Sequence, residues 1–85
     1  MRKVTFTPDA WREYNEWIEE DYEVAKKIQL ILRDIQNNPF KGLGKPEPLK
    51  GNYSGYWSRR IAQEDRLIYK VSNDNIEIYK CKQHY

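Results

Sequence analysis

The sequence is short of the residues from which many functional sites are built. Its 85 residues include one cysteine, Cys81, and one histidine, His84. A single cysteine excludes an internal disulfide bond, and one cysteine with one histidine falls short of the several nitrogen and sulfur ligands of a zinc site. We therefore expect any chemistry here to need no metal ion and no other cofactor.

Long apolar runs are also missing. No segment approaches the roughly 20 apolar residues of a membrane-spanning helix, and the apolar stretch 4–6 is too short for a secretion signal. We expect a cytoplasmic protein with no membrane partner. A length of 85 residues predicts one domain, residues 1–85, with one modest core. An aromatic content of 14% argues against disorder, although 33% of the residues are charged.

A strong net charge is absent too, but the charges are unevenly distributed. Residues 1–22 carry three basic and six acidic side chains, whereas residues 41–85 carry nine basic and five acidic ones. A cationic surface attracts nucleic acid because each Lys or Arg that meets a phosphate releases condensed counterions. A net charge of only +2 is well below that of a strongly basic nucleic-acid-binding protein, so the charge alone favours the alternative of an ordinary solvated surface. The acidic residues expected on a solvated helix face, away from any RNA, are Glu13, Glu16, Glu19, Glu20 and Asp21.

The first half of the chain has the apolar spacing of one strand and two helices. Val4 and Phe6 alternate with polar neighbours, as in a short half-buried strand. Thr7-Pro8-Asp9 is typical of a helix start, and a second helix ends at Asn37-Asn38-Pro39. The helical residues that recur at spacings of three and four, and are expected to face a core, are Ala10, Trp11, Tyr14, Trp17, Ile18, Val24, Ala25, Ile28, Ile31, Leu32 and Ile35.

The second half changes to a period of two. Residues 56–61, 67–71 and 76–82 are rich in β-branched and aromatic residues and are separated by polar turns, which predicts a three-stranded antiparallel meander. Helices kept apart from a run of strands indicate an α+β fold. We expect an N-terminal strand and two antiparallel helices packed on one face of an antiparallel sheet. The other face is then free for a ligand.

A long loop, residues 39–55, joins the helices to the meander and contains all four glycines and three of the four prolines. Compact domains seldom carry such a loop without a functional reason. Prolines on both sides hold Glu47 in an extended backbone, and Lys45 and Lys50 favour its carboxylate form. Glu47 is then either a positioned base or an ordinary surface carboxylate, and the loop residues alone favour the latter.

Three arginines and several aromatic residues accompany this loop. A guanidinium binds phosphate as a planar, two-pronged donor that keeps its charge. Arg59 and Arg60 are adjacent and point to opposite faces of a strand, so one of them is expected to be structural. Arg66 follows two acidic residues, with which a salt bridge is the alternative role. The aromatic residues that either stack on bases or pack in the sheet core are Tyr53, Tyr56, Trp57 and Tyr85.

Together these side chains form a set suited to metal-free RNA cleavage. The 2′-hydroxyl must lose a proton to attack phosphorus, the dianionic phosphorane needs cations, and the departing 5′-oxygen needs a proton. We predict Glu47 as the base, Arg66 and Lys50 as the cations and His84 as the acid, although a lone histidine is more often a surface residue. DNA lacks the 2′-hydroxyl and would not be cleaved.

At these positions the sequence resembles the Txe/YoeB family of bacterial toxin endoribonucleases, part of the wider RelE-like group. The resemblance covers the whole chain and is most specific from residue 38 onward. The residues that carry it are Asn38-Pro39-Phe40, Gly42, Gly44-Lys45-Pro46-Glu47-Pro48-Leu49-Lys50, Ser54-Gly55, Trp57-Ser58-Arg59-Arg60-Ile61, Arg66-Leu67-Ile68-Tyr69 and His84-Tyr85.

The resemblance implies a RelE-like fold of the microbial ribonuclease type and a toxin encoded beside an antitoxin of the YefM/Axe type. Such a toxin enters the ribosomal A site, cuts the mRNA there and inhibits translation, and it is commonly a homodimer. The catalytic residues that the resemblance implies are Glu47, Lys50, Arg66, His84 and Tyr85. Contacts with RNA are expected at Lys45, Arg59 and Arg60.

Two other functions remain open at this point. The chain could inhibit translation by occupying the ribosome without cutting, in which case the basic residues matter and Glu47 and His84 do not. It could also be an interaction module that pairs through a sheet edge.

Overall fold

The computed structural model describes the backbone of residues 1–84 and the side chains of residues 1–82. Within that range, two helices pack on one mixed sheet of five strands. The helices are α1 (Pro8–Glu20) and α2 (Tyr22–Asn37), and the strands are β1 (Lys3–Phe6), β2 (Glu47–Pro48), β3 (Trp57–Arg60), β4 (Asp65–Val71) and β5 (Asn75–His84). Neither helix has the length and apolar character that crossing a membrane requires.

The strand order is β1-β5-β4-β3-β2, and β3, β4 and β5 form the predicted antiparallel meander. The α+β fold class is therefore confirmed. The sheet is not wholly antiparallel, because β1 pairs in parallel with β5, with Phe6 opposite Ile78. Two parallel strands require a long crossover connection between them. Here the two helices follow β1 in the sequence and form the first part of that connection.

Local sequence signals place the helices. Thr7 caps α1 by accepting the Ala10 N–H at 3.1 Å, and Pro8 occupies the first turn, where its missing N–H costs nothing. Asp21 alone separates α1 from α2. Gln29 donates a hydrogen bond to the Tyr14 hydroxyl at 2.7 Å. Since these two residues lie at similar distances on either side of Asp21, the helices fold back on each other as predicted.

The core lies between the helices and one face of the sheet. Its buried members are Ala10, Trp17, Val24, Ala25, Ile28, Ile31, Ile35, Ile61, Leu67, Tyr69, Ile76, Ile78 and Cys81. The core prediction was wrong for Trp11 and Ile18, whose exposed fractions are 54% and 38%. The buried stripe of α1 is narrower than its apolar spacing suggested, and Trp11 lies at the rim with its ring 5.6 Å from that of Phe6.

The prediction of a solvated acidic face on α1 agrees with the exposure of Glu19, Glu20 and Asp21, but it was wrong for Glu13. Glu13 is buried, and its carboxylate accepts the Cys81 N–H at 2.7 Å. Lys82 donates to Glu16 at 3.2 Å and to Glu20 at 2.9 Å. The burial of Glu13 is explained by β5, which pairs irregularly with β4 and forms bulges there. A bulge leaves backbone groups of the strand without ladder partners, and α1 supplies one for the Cys81 N–H.

The predicted loop 39–55 contains regular structure that the sequence did not reveal. Residues Glu47–Pro48 form β2 at the sheet edge, with Glu47 opposite Ser58 and Pro48 opposite Trp57. An edge strand tolerates proline because one side of it needs no ladder hydrogen bonds. A 3₁₀ turn, Gly51–Tyr53, follows. The loop is thereby attached to the sheet rather than extended over it.

Candidate active site

A polar pocket of about 170 Å³ opens on the side of the sheet facing away from the helices. Strand alternation defines this side, because Trp57, Arg59 and Tyr69 point toward the helical layer and their neighbours point away from it. The residues that line the pocket are Lys45, Pro46, Glu47, Ser58, Arg60 and Arg66.

The floor of the pocket comes from β3 and β4. Arg60 is directly opposite Arg66 in this antiparallel pair, and Ser58 is two residues from Arg60 on the same face. Directly opposed side chains have Cβ atoms about 5 Å apart, and like charges placed this way destabilise a sheet. An anion between the two guanidinium groups would remove that repulsion. The pairing therefore favours a site for phosphate.

The wall opposite this floor comes from the segment that leads into β2. Glu47 is exposed and pairs with Ser58, and it lines the same pocket as the two arginines. The Arg60 N–H donates to the Gly44 carbonyl at 2.7 Å and so holds the segment against β3. Lys45 has a φ of +54°, in the left-handed region, although it is neither Gly nor Asn. Such strain persists where surrounding contacts enforce it, often at functional sites.

Arg59 organises the start of the same loop and is wholly buried. Its guanidinium donates to Asp34 and to the Tyr69 hydroxyl. It also donates to three loop carbonyls, those of Asn38, Lys41 and Leu43. The prediction that Arg59 contacts RNA was wrong, because these partners occupy its donors inside the protein. The prediction that Arg59 and Arg60 face opposite sides, with one of them structural, is confirmed.

Asp34 and Tyr69 complete this buried network. The Leu43 N–H and the Arg59 guanidinium donate to Asp34, and they hold the pKa of its carboxyl below the ordinary value of 3.8. Burial raises the pKa of the Tyr69 hydroxyl, which donates to the Pro39 carbonyl at 2.7 Å. Asp34 is therefore a carboxylate and Tyr69 a neutral phenol at neutral pH, and both states favour the bonds that fasten residues 39–43.

Four of the predicted site residues thus meet in one place: Lys45, Glu47, Arg60 and Arg66. Lys50 is exposed. It is not part of the pocket lining, as far as the described side chains define that lining. The backbone of β5 places His84 opposite Asp65 and Gln83 opposite Arg66. The His84 side chain and Tyr85 lie outside the described part of the chain.

Two contributors were missed by sequence reasoning. Ser58 lines the pocket although only 2% of the residue is exposed. It could have been identified from the sequence, because it is two residues from Arg60 in a strand and so shares its face. Asp34 acts through Arg59 and has no comparable signal, because a carboxylate on an amphipathic helix normally faces solvent.

In chemical terms, the pocket holds three cationic side chains and one carboxylate. The cations suit a phosphodiester and the extra negative charge that develops when it is attacked. The carboxylate has the right chemistry to accept a proton from a nucleophilic hydroxyl.

Comparison with known proteins agrees with this fold. Residues 6–85 match the model of a family described as "YoeB-like toxin of bacterial type II toxin-antitoxin system". The class of protein is therefore a toxin of a type II toxin–antitoxin system. More particularly, the chain belongs to the YoeB toxin family.

Individual relatives are similar over nearly their full length. Toxin YoeB of Streptomyces coelicolor is 49% identical over 83 residues, which are 98% of this chain and 99% of that protein. The YoeB dimer of Staphylococcus aureus has a TM-score of 0.93 at 44% identity, covering 99% of this chain and 98% of its own. A heterotetrameric YoeB–YefM complex from the same organism has a TM-score of 0.90 at 43% identity, covering 100% and 99%.

Proposed function

We propose that this toxin is a metal-independent endoribonuclease that cuts mRNA in the ribosomal A site and thereby inhibits translation. The observation that supports it most directly is the meeting of Glu47 with Arg60 and Arg66 in one open pocket. A phosphodiester in this pocket would lie between a carboxylate and two guanidinium groups, which is the charge distribution that strand cleavage needs.

In the proposed reaction, the Glu47 carboxylate takes the proton of the RNA 2′-hydroxyl. The 2′-oxygen attacks the adjacent phosphorus, and Arg66, with Arg60 beside it, stabilises the phosphorane. The bond to the 5′-oxygen then breaks, and His84 supplies the proton that this oxygen needs. The products are a 2′,3′-cyclic phosphate and a free 5′-hydroxyl. Lys50 and Tyr85 are proposed to complete the site from the β2 side and the end of the chain.

The strand register sets the distance between the proposed base and the proposed acid. Glu47 is on β2 and His84 on β5, with β3 and β4 between them. Three strand spacings amount to about 14 Å across the sheet, and an offset of about three residues along the strands adds about 10 Å at right angles to it, so the two backbones are roughly 17 Å apart. The proposed division of roles therefore requires the bound nucleotide to bridge this distance.

We also propose that cutting depends on the ribosome, and the modest charge of the protein supports this. A net charge of +2 provides little general attraction for free RNA. A ribosome that holds mRNA in a fixed geometry can align the 2′-hydroxyl with the scissile bond, and such orientation contributes up to about 7–11 kcal/mol. We expect weak cutting of naked RNA and strong cutting of translated messages, so equal rates on the two substrates would contradict the dependence.

The test is to map 5′ ends on a translated message by primer extension with wild type, Glu47→Gln and Arg66→Ala. Loss of a general base or of a phosphorane-binding group should lower the cutting rate about 10²- to 10⁴-fold. Because Glu47 is exposed, the Gln variant should remain folded, as a thermal melt will verify. Matched controls are Glu19→Gln on α1 and Arg33→Ala on α2, both outside the pocket lining.

The alternative of inhibition by occupancy predicts a different result. Translation would stop without new 5′ ends, and a folded Glu47→Gln variant would inhibit as strongly as wild type. Message mapping therefore separates cutting from occupancy in a single experiment.

We further propose a YefM-type antitoxin and a second copy of the chain as partners, acting in the cytoplasm. The support is that Staphylococcus aureus relatives above 40% identity are described as a YoeB dimer and as a YoeB–YefM complex. Co-expression with the antitoxin encoded beside this chain should yield a stable complex and suppress toxicity. Analytical ultracentrifugation of the toxin alone should show a dimer, and a monomer at all accessible concentrations would contradict self-association.

A further inference from the structure

Three tyrosines form a cluster on the sheet face that carries the pocket. The ring of Tyr56 lies 5.3 Å from that of Tyr79, and Tyr53 lies 6.3 Å from Tyr56 and 6.1 Å from Tyr79. All three are partly exposed. We call Tyr53, Tyr56 and Tyr79 the tyrosine cluster. The mechanism proposed above makes no use of it.

The tyrosine cluster adjoins the pocket. Tyr56 precedes Ser58 by two residues, so their side chains share a face about 7 Å apart along the strand. Ser58 itself lines the pocket opposite Glu47. The paired arginines lie two residues beyond Ser58 in β3, so a group bound at Tyr56 would be roughly 13 Å, or about two extended nucleotides, from a phosphate bound between Arg60 and Arg66.

Charge at the tyrosine cluster suits a nucleic acid rather than an apolar peptide. The Lys70 ammonium lies 5.5 Å from the Tyr56 ring centroid and is on an exposed residue. An ammonium beside an aromatic platform can bind phosphate while the ring takes a base, as in proteins that bind single-stranded nucleic acid.

The rings are also held in place before any ligand arrives. Mutual edge and tilted contacts restrict their rotation, and Tyr79 lies where β5 bulges against β4. A bulge re-aims side chains and is common beside functional sites. Aromatic side chains that are already ordered lose little conformational entropy on binding.

We propose that the tyrosine cluster is a stacking site for an unpaired nucleobase about two nucleotides from the phosphate in the pocket. This inference rests on the proposed function in taking RNA as the substrate. It adds a base subsite on the Tyr56 side of the pocket, which would influence where along the message the toxin binds.

The experiment measures binding, not cutting, by NMR titration of the full chain with a 2′-O-methyl hexanucleotide, whose blocked 2′-oxygens exclude cleavage. A second hexamer has the same sugar–phosphate chain without bases. The variants are Tyr56→Leu and Tyr79→Leu, which keep apolar bulk but lose the aromatic face. Tyr56→Phe and Tyr79→Phe, which keep the ring, are the matched controls, and a thermal melt verifies folding for each.

Wild type and the Phe variants should bind the base-bearing hexamer at least about five-fold more tightly than the abasic one, given the usual contribution of a stacked base. The Leu variants should lose most of that difference. Equal weakening toward both hexamers, no weakening, or no binding up to millimolar concentration would overturn the proposal. Base-dependent binding without any message cutting would reject the nuclease and retain the stacking site, whereas cutting without base-dependent binding would reject the stacking site alone.

Discussion

Arg59 and Arg60 show how much the environment of a residue decides about its role. They are neighbours in β3, yet Arg59 is fully buried with five hydrogen-bond partners and Arg60 lines an open pocket. The free energy of a buried guanidinium depends on its partners, because an unpaired charge in the interior is strongly destabilising. Arg59 thus needs Asp34. Among the side chains of residues 1–82, Asp34 is the one carboxylate that forms an ion pair with Arg59.

This dependence predicts an acid-sensitive stability that Asp34 controls. The pKa of Asp34 is lower in the folded chain than its ordinary value of 3.8, so its contribution is complete above that value and is lost as the pH falls through the folded pKa. Urea unfolding measures the free energy of unfolding from pH 7 to about pH 2.5. At pH 7, the value for Asp34→Asn should be about 3 kcal/mol below that of wild type. Below about pH 4, it should fall less steeply with pH than that of wild type, because the variant has no carboxylate to protonate at this position.

Asp21→Asn is the matched control, since Asp21 is exposed between the helices and Asn can occupy the same helix-terminal position. Parallel acid profiles for wild type and Asp34→Asn would show that the Asp34–Arg59 pair does not contribute in this way.

At the scale of elements, the segment from Asn38 to β2 is a loop given fixed geometry by its attachments. Arg59 holds its first half, and the bond from the Arg60 N–H to the Gly44 carbonyl holds its second half. Gly44 has a φ of +80°, and a Cβ there would lie 2.8 Å from the Arg60 carbonyl oxygen. Only glycine permits this approach, which sets the position of Lys45 and Glu47 over β3.

Replacement of Gly44 by alanine should therefore cost more than the same change at Gly51. Gly51 has a φ of +65°, but no atom lies within 4 Å of the place that a methyl group would take, so Gly51→Ala bears only backbone strain of about 1–2 kcal/mol. Gly44→Ala should lose about a further 1–3 kcal/mol through overlap with β3. Urea unfolding of both variants measures the difference, and equal losses would mean that the loop can retreat from β3 freely.

For the whole molecule, the contact between α1 and β5 joins the helical layer to the strand that carries His84. All the polar groups of Cys81 bind α1: Trp17 donates to its carbonyl at 2.7 Å, Glu13 accepts its N–H at 2.7 Å, and its thiol lies 3.4 Å from the Ala10 carbonyl. Burial, with the Glu13 carboxylate nearby, raises the pKa of the Cys81 thiol to about 12. The helix thus completes the strand where bulges interrupt its pairing with β4.

The role of Glu13 in this contact can be tested by two substitutions. Glu13→Leu should lower the free energy of unfolding by about 1–3 kcal/mol, because the buried Cys81 N–H loses its acceptor. Glu13→Gln keeps an amide oxygen in the same place and should lose less. Denaturant unfolding distinguishes them, and equal losses would indicate that the negative charge, rather than the hydrogen bond, is what Cys81 requires.

Much of the fold was predictable because its signals are local. The Thr7 cap, the apolar spacing of α2 and the period of two in β3 to β5 each depend on residues within a few positions of one another. The parallel pairing of β1 was not predictable, since it joins the two ends of the chain, with Lys3 opposite Asn75. Neither was β2, a strand of two residues with a proline in it.

The candidate site divides in the same way. Residue chemistry by itself determined which side chains suit a phosphodiester, namely Glu47, Arg66 and the lysines of the loop, since charge and proton affinity belong to the residue type. Only the tertiary structure decided which arginine enters the pocket and which is enclosed. That choice depends on distant partners such as Asp34 and on the pairing of β2 with β3, and contacts between segments far apart in the chain leave no periodic trace in it.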